Sequence, residues 1–252
     1  MASHTTSLVR TALGATALAG VLLVSGCSFA EEGRMRTASA DATVAGAVTA
    51  VELTGVRRGS VEVTPGSGPG VVVHRTVHYR GDRTPTPGQQ VSHGVLTFSE
   101  GCADTCWTDY RLEVPASAKV KVGNSSGRIT VTGVAAAELD SDSGDVRAER
   151  IAGPLKVRTS SGDITGTALN GPEAEVRSGS GNATLGFTRA PDSVSVTATS
   201  GDVTLKVPGA GPYRVDASST SGDRDITVPV APEARAALAV RTTSGDIRVS
   251  AP

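Results

Sequence analysis

The chain has 252 residues with 30 glycines and 13 prolines, while aromatic residues are only 3% and charged residues 19% of the sequence. So few large side chains exclude a wide, aromatic-rich core of the kind that surrounds most enzyme pockets, and they leave a thin core of Val, Ile, Leu and Ala. The formal net charge of -1, with acids and bases interspersed, excludes a basic face for nucleic acid.

Residues 1–26 have the pattern of a lipoprotein signal peptide. A short polar start with Arg10 precedes an apolar stretch over 11–24, which is too short to span a bilayer comfortably. The stretch ends in VSGC over 24–27, which resembles a bacterial lipobox. That resemblance implies a diacylglycerol on Cys27, cleavage before it, and an extracytoplasmic chain anchored to the cell membrane through lipid. An ordinary signal peptide with an incidental cysteine is the alternative.

The segments that follow differ in pattern. Residues 27–43 are small and polar without periodicity, which predicts a flexible, lipid-anchored tether. Residues 44–115 contain period-two segments separated by turn residues, and these predict short β-strands that form an N-terminal β cap over the first open coil of the region that follows. We place the boundary near Pro115.

Two cysteines stand in this cap. Cys102 and Cys106 lie in GCADTCW between strand-like segments. Outside the cytoplasm such a pair predicts a disulfide across a hairpin tip. A metal site is the weaker alternative, because it would need further ligands such as His74 and His78.

The second half carries an internal repeat. Ser-Gly recurs seven times in similar surroundings, at spacings that grow from 17 to 23 residues. The repeat glycines are Gly127, Gly144, Gly162, Gly181, Gly201, Gly222 and Gly245. The residues five and seven positions before each glycine are all apolar, and polar residues mostly stand between them. Such alternation predicts strands with one buried face.

Apolar alternation resumes after each glycine. Examples are Ile129 with Val131 and Ile247 with Val249, whereas the sixth copy carries an insertion at Arg224 and Asp225 that moves its apolar pair to Ile226 and Val228. Variable connectors rich in Gly and Pro separate the units. The pattern predicts an all-β fold, a β-solenoid of about seven repeats over 116–252, because a stacked array tolerates variable loops. An antiparallel run of hairpins remains compatible with the same alternation.

Most repeat glycines are followed by an acid. The acids are Asp145, Asp163, Asp202, Asp223 and Asp246, with Arg128 and Asn182 in the two remaining copies. Glycine is needed where φ is positive or where the next coil leaves no room for a Cβ, and Asp or Asn there bonds turn amides. A calcium-binding acid ladder is the alternative, but Arg128 and Asn182 interrupt it. We predict no metal and no cofactor.

The enzyme signals are weak. GNSSG over 123–127 matches the G-x-S-x-G pattern of a hydrolase nucleophile elbow, but that motif requires a following helix and RITVT follows instead. No histidine stands after His93 to act as a base. We therefore assign no catalytic residue.

The repeat resembles a known family. The segments LKVRTSSGDIT (155–165), VSVTATSGDVT (194–204) and LAVRTTSGDIRV (238–249), with the lead-in YRLEVPASAKVKV (110–122), look like the putative-adhesin family of β-strand-repeat bacterial envelope proteins, a domain of unknown function. The resemblance covers about residues 45–252, and the arginine-rich composition resembles actinobacterial members. It implies a β-solenoid displayed at the cell surface and no catalytic residues.

Two function classes follow. The first is a non-catalytic, adhesin-like binding or scaffold module whose partner is an envelope protein or a cell-wall polymer. The second is a glycan-active enzyme, which would need clustered carboxylates and aromatic platforms in a groove. An accessory role in envelope-stress signalling is a further alternative for which no residue argues directly.

Overall fold

The computed structural model describes residues 34–99, 101 and 106–252, and all the regular secondary structure there is β-strand. The predicted signal peptide, Cys27 and Cys102 lie outside these residues. The strands are β1 (Arg36–Val44), β2 (Ala50–Arg58), β3 (Val61–Gly66), β4 (Val71–Tyr79), β5 (Gly88–Ser92), β6 (Val95–Ser99), β7 (Trp107–Pro115), β8 (Lys119–Ser126), β9 (Ile129–Thr132), β10 (Ala136–Ser143), β11 (Val146–Glu149), β12 (Leu155–Ser161), β13 (Ile164–Leu169), β14 (Glu173–Ser180), β15 (Ala183–Phe187), β16 (Ser193–Ser200), β17 (Val203–Lys206), β18 (Arg214–Ser221), β19 (Arg224–Ile226), β20 (Ala237–Ser244) and β21 (Ile247–Ser250).

These strands form two long sheets. Sheet A has the order β1-β4-β7-β3-β9-β11-β13-β15-β17-β21-β19, and sheet B has the order β18-β20-β16-β14-β12-β10-β8-β2-β6-β5. Each repeat contributes its strand before the glycine to sheet B and its strand after the glycine to sheet A. Equivalent strands of neighbouring units pair in parallel and in register, as β10 does with β12 and β11 with β13. The hairpin alternative is therefore wrong, because the two strands of a unit belong to different sheets.

The alternating apolar residues form the core between the sheets. Of the fourteen apolar residues predicted before the glycines, all except Val215 and Ala217 are buried. The pairs after the glycines, such as Ile129 with Val131 and Ile247 with Val249, are buried as well. This confirms the predicted alternation. A single apolar cluster extends from Val44 to Val249, so the core continues across the boundary predicted near Pro115.

A further unit precedes the first predicted repeat. Strand β2 pairs in parallel with β8 and strand β3 with β9, and Gly59 stands between β2 and β3 where the repeats have their glycine. A register shift between Leu53 and Val56 lengthens the first strand. The assignment of these strands to a separate cap is therefore wrong, because they continue the parallel stack.

The last two units lie in reversed spatial order. The seventh unit pairs with the fifth, through β20 with β16 and β21 with β17, and the sixth unit lies at the outer edge. In the sixth unit Arg224 stands opposite Ile247 and Ile226 opposite Val249. The predicted insertion is therefore wrong: Arg224 occupies an inward, normally apolar position, and its guanidinium Nη1 donates to the Ala217 carbonyl at 3.1 Å. This unit suits the edge because its inward side chains need little burial.

The other end of the stack is closed by antiparallel strands. Strand β4 pairs antiparallel with both β1 and β7, and β5 pairs antiparallel with β6. The prediction of a flexible tether over 27–43 is therefore wrong for residues 36–43, because β1 (Arg36–Val44) extends the sheet there. Its side chains alternate between exposed and partly buried positions, so the small polar sequence hides a strand whose backbone hydrogen bonds supply the ordering.

Valine-to-alanine substitutions in the last two units distinguish the observed spatial order of the units from a sequential order. Val240 in the seventh unit is fully buried, whereas Val215 in the sixth is only partly buried. We expect Val240→Ala to lower the free energy of unfolding by about 2 kcal/mol and Val215→Ala by less than about 1 kcal/mol. Denaturant unfolding measures both, with Val196→Ala as an interior control. Equal losses at 215 and 240, or a larger loss at 215, would contradict the observed order.

Candidate binding surface

The repeat glycines lie at the corners where the chain passes from sheet B to sheet A. Six of the seven have φ between +115° and +152°, the exception being Gly144. A Cβ on Gly181 would lie 2.3 Å from the Gly162 carbonyl oxygen, and one on Gly144 would lie 2.0 Å from that of Gly127. The backbone of each corner thus packs directly against the backbone of the neighbouring corner. Gly59 belongs to the same column, since a Cβ on Gly127 would meet its carbonyl oxygen at 2.2 Å.

The acids after the glycines connect neighbouring corners. The Oδ1 atom of Asp163 accepts a hydrogen bond from the backbone N–H of Asn182 at 2.8 Å, and Oδ1 of Asn182 accepts one from Asp202 at 2.9 Å. The ladder runs in the spatial order Asp145, Asp163, Asn182, Asp202, Asp246, Asp223, with N–H to Oδ1 distances of 2.8 to 3.3 Å. These side chains cap backbone donors of the adjacent unit, as Asp and Asn do in turns.

An inward polar column stands beside the corner and was not singled out from the sequence. Three residues before each glycine stand Asn124, Ser141, Thr159, Ser178, Ala198, Ser219 and Thr242. Several donate to corner carbonyls, for example Asn124 Nδ2 to Gly127 at 2.9 Å and Ser219 Oγ to Gly245 at 2.9 Å. The recurrence of Ser or Thr three positions before the repeat glycine is the sequence signal that could have predicted this column. Together with the corner acids, this column supplies hydrogen bonds to the backbone at the corners, so both sets of residues have a structural role.

Asp109 performs the corner role at the first unit. Its Oδ1 accepts from the backbone N–H of Ser60 at 2.7 Å, and its Oδ2 lies 2.9 Å from His78 Nε2. The imidazole of His78 stacks on Trp107, with ring centroids 4.8 Å apart. Cys106 nearby is disulfide-bonded, while its predicted partner Cys102 lies outside the described residues. His74 pairs with Asp41 instead of joining His78.

At the opposite end, the connectors on either side of the sixth unit meet at Tyr213. The hydroxyl of Tyr213 donates to the Pro208 carbonyl at 2.6 Å, and the Tyr213 backbone pairs with Pro229 and Ala231. Burial raises the pKa of the Tyr213 hydroxyl above its ordinary value. The connectors before β18 and after β19 are therefore held together at Tyr213, whose ring belongs to the core cluster.

The outer face of sheet B carries a ladder of alternating charge. The outward residues six positions before the corner glycines stand in register across strands, and β2 continues the row. In spatial order this charge ladder is Glu52, Lys121, Glu138, Lys156 and Glu175. Lys121 Nζ lies 3.2 Å from Glu138 Oε1. Opposite charges on directly adjacent strands favour this register over a slipped one.

Two adjacent grooves lie on this outer face. One, of about 720 Å³, is lined by the charge ladder and by small residues such as Ala50 and Ala136. The other, of about 640 Å³, lies nearer the corners and is lined by Asp140, Arg158 and Arg177 above a floor of small residues such as Gly179. The face thus carries two shallow grooves in which charged side chains stand above small and aliphatic residues, and the grooves together cross six parallel strands.

The outer face of sheet A is different. Threonines Thr165, Thr184 and Thr204 stand side by side on β13, β15 and β17, and Arg147 stands beside Thr165. A groove of about 430 Å³ lies at the N-terminal side of this face. This face therefore offers a central run of hydroxyl groups that is flanked by charged side chains such as Arg147 and Arg248.

The candidate catalytic and metal-binding residues of the sequence do not come together in one site among the described residues. GNSSG lies at the end of β8, and β9 rather than a helix follows it. Among the described residues, no group of three or more His, Cys, Asp or Glu side chains is placed to hold a metal ion. No helix in the described part of the chain is long and apolar enough to cross a membrane.

Two parallel-rich sheets joined at glycine corners define this as an all-β strand-repeat domain, and a family model agrees. The model described as Toastrack DUF4097 matches residues 108–250, more than half of the chain. The chain belongs to this family, and the resemblance drawn from the Ser-Gly-Asp repeat is confirmed.

Similarity to solved structures is distant. They include putative adhesins from Parabacteroides distasonis (TM-score 0.47, 16% identity, covering 86% of this chain and 98% of that one) and Bacteroides fragilis (TM-score 0.45, 11% identity, 87% and 98%). A putative cell adhesion protein from Clostridium sporogenes is also similar (TM-score 0.40, 10% identity, 87% and 100%). A comparison with curated proteins finds no match.

A single Cβ at a corner tests the glycine column. Gly181→Ala places a methyl group against the Gly162 carbonyl at φ +121°, and we expect it to lower the free energy of unfolding by at least about 2 kcal/mol. Gly209→Ala is the control, because its nearest neighbour would be Ala251 Cβ at 3.6 Å. Denaturant unfolding that gave the same stability for both variants would disprove the close approach.

Removing one ladder acceptor tests the corner acids. Asp163→Ala leaves the Asn182 N–H without its side-chain acceptor, so we expect a loss of about 0.5–1 kcal/mol in unfolding free energy. Asp163→Asn retains an acceptor oxygen, as Asn182 does naturally, and should cost much less. If calcium rather than the hydrogen bond were what these acids serve, thermal unfolding of the wild type would shift between added calcium and chelator, and we expect no shift.

Proposed function

We propose that the chain is a cell-surface lipoprotein whose β-solenoid serves as a non-catalytic binding or scaffold module in the cell envelope. The observation that carries this proposal is the outer face of sheet B, where side chains from six parallel strands line two adjacent shallow grooves with exposed charges. Such a surface presents regularly spaced groups, about 4.8 Å apart from strand to strand, to an extended partner.

The proposal includes an anchor. The VSGC motif over 24–27 supports lipidation at Cys27, and β1 begins at Arg36, so only a short linker joins the proposed lipid to the first strand. The antiparallel end of the stack would then face the membrane, and the grooves of sheet B would stand further from it. Disulfide pairing of Cys102 with Cys106 fits the same oxidising location.

The corner residues support a binding role over an enzymatic one. The acids that recur most regularly in the sequence have Oδ1 committed to backbone amides. Aromatic platforms of the kind that glycan-active enzymes use are not found among the described residues that line the two sheet B grooves, which are aliphatic, small, hydroxyl-bearing, amide and charged residues.

Retention on envelope material tests the binding module. The full chain carrying Cys27→Ala, which removes the proposed lipid, is incubated with purified cell-wall fractions and with membrane-protein extract. We expect saturable retention on one fraction that salt weakens, because salt screens the exposed charges of the face. Absence of saturable retention on every fraction would contradict the binding role.

Lipid labelling tests the anchor separately. In cells fed a radiolabelled fatty acid, the wild-type chain should take up label and partition into detergent. Cys27→Ser should abolish both, whereas Cys102→Ser should abolish neither. Labelling that persists without Cys27 would overturn the lipoprotein assignment.

A further inference from the structure

Two arginines stand side by side in the corner-side groove of sheet B. Arg158 on β12 and Arg177 on β14 are direct register partners on neighbouring parallel strands. Both are outward and exposed. Like charges directly opposite on adjacent strands are destabilising. The pair therefore departs from the arrangement that stability alone favours.

In the neighbouring charge ladder, by contrast, residues of opposite charge stand side by side on adjacent strands. Two positions earlier on the same strands, Lys156 stands opposite Glu175, and signs alternate from Glu52 through to that residue. Arg177 Nη2 lies 2.7 Å from Glu175 Oε1 on its own strand. Arg158 has no hydrogen bond or ion pair within the described part of the chain, although Asp140 is its register partner on the other side.

The surroundings leave room for a ligand. The next groove-lining residues towards the corner on these strands are Ser160 and Gly179, so the groove floor beside the two guanidinium groups is low. Thr197 follows Arg177 on the next strand, and Arg241 follows Thr197. Three arginines thus lie in one row across four strands, with a hydroxyl between the second and the third, and the third, Arg241, is ion-paired through Nη2 with Asp216.

We propose that Arg158 and Arg177 form an anion-binding site for the phosphate or carboxylate groups of a linear polymer. This inference rests on the proposed binding function and names its ligand chemistry. Guanidinium groups bind both anions bidentately, and an anion between them would remove the repulsion. Arg241 stands further along the same row, beyond Thr197, which suits a chain of repeating acidic groups.

The same surface argues against a membrane as the ligand. The face carries two shallow grooves, and Asp140, Asp142 and Glu173 line them beside the arginines. A flat anionic bilayer would bring many charges against these carboxylates, whereas a single polymer strand can follow the arginine row.

The test uses the full chain carrying Cys27→Ala and four probes: poly(glycerol phosphate), polygalacturonate, neutral dextran, and vesicles containing phosphatidylglycerol. We expect one of the two anionic polymers to bind, with an affinity that falls as salt rises, and dextran and vesicles not to bind. The polymer that binds identifies phosphate or carboxylate as the recognised group.

The variants are Arg158→Gln, Arg177→Gln and the double substitution, with Arg147→Gln on the outer face of sheet A as the matched control. The double variant should lose at least about tenfold in affinity for the polymer, and each single variant part of that. Arg147→Gln should change affinity less than about twofold. The melting temperature of the double variant should be unchanged or slightly raised, since the like-charge contact is gone.

Each outcome decides between the two proposals. If the wild type is retained on a wall fraction but binds neither anionic polymer, or if the double variant binds as well as the wild type, the anion site is wrong and the binding module stands. Preferential binding to vesicles would also overturn the polymer site. If the wild type is retained on nothing, the proposed function itself fails.

Discussion

The close approach of backbones at the corners is the constraint on which the rest of the structure depends. The carbonyl oxygen of one corner glycine occupies the space that a Cβ on the next would need. Successive units must therefore turn at the same place, and this holds their strands in register in both sheets. The corner acids and the inward Ser and Thr column then satisfy the backbone groups that this turning leaves unpaired.

The sequence predicted the buried face well because alternation with period two is a local property of each strand. It did not predict the Gly59 unit, because the register shift between Leu53 and Val56 changes the spacing before that glycine. Nor did it predict the exchange of the last two units, since adjacency along the chain does not say which unit lies at an edge. Arg224 at an inward position is the residue that, in retrospect, indicates the edge.

The candidate binding surface was the part that the sequence predicted least. Arg158 and Arg177 are nineteen residues apart in the chain and become neighbours only through the register of β12 with β14. Inward and corner positions are restricted by packing and hydrogen bonding, whereas outward positions are not. The like-charged pair at these outward positions is what the proposed anion-binding site accounts for.

Amide hydrogen exchange at the corners tests the central claim most directly. The backbone N–H groups of Asp163, Asn182, Asp202, Asp223 and Asp246 donate to side chains of the adjacent unit. If the corners stack as described, NMR should show these protons exchanging as slowly as strand amides. Exchange as fast as that of connector amides such as Gly209 would contradict the account.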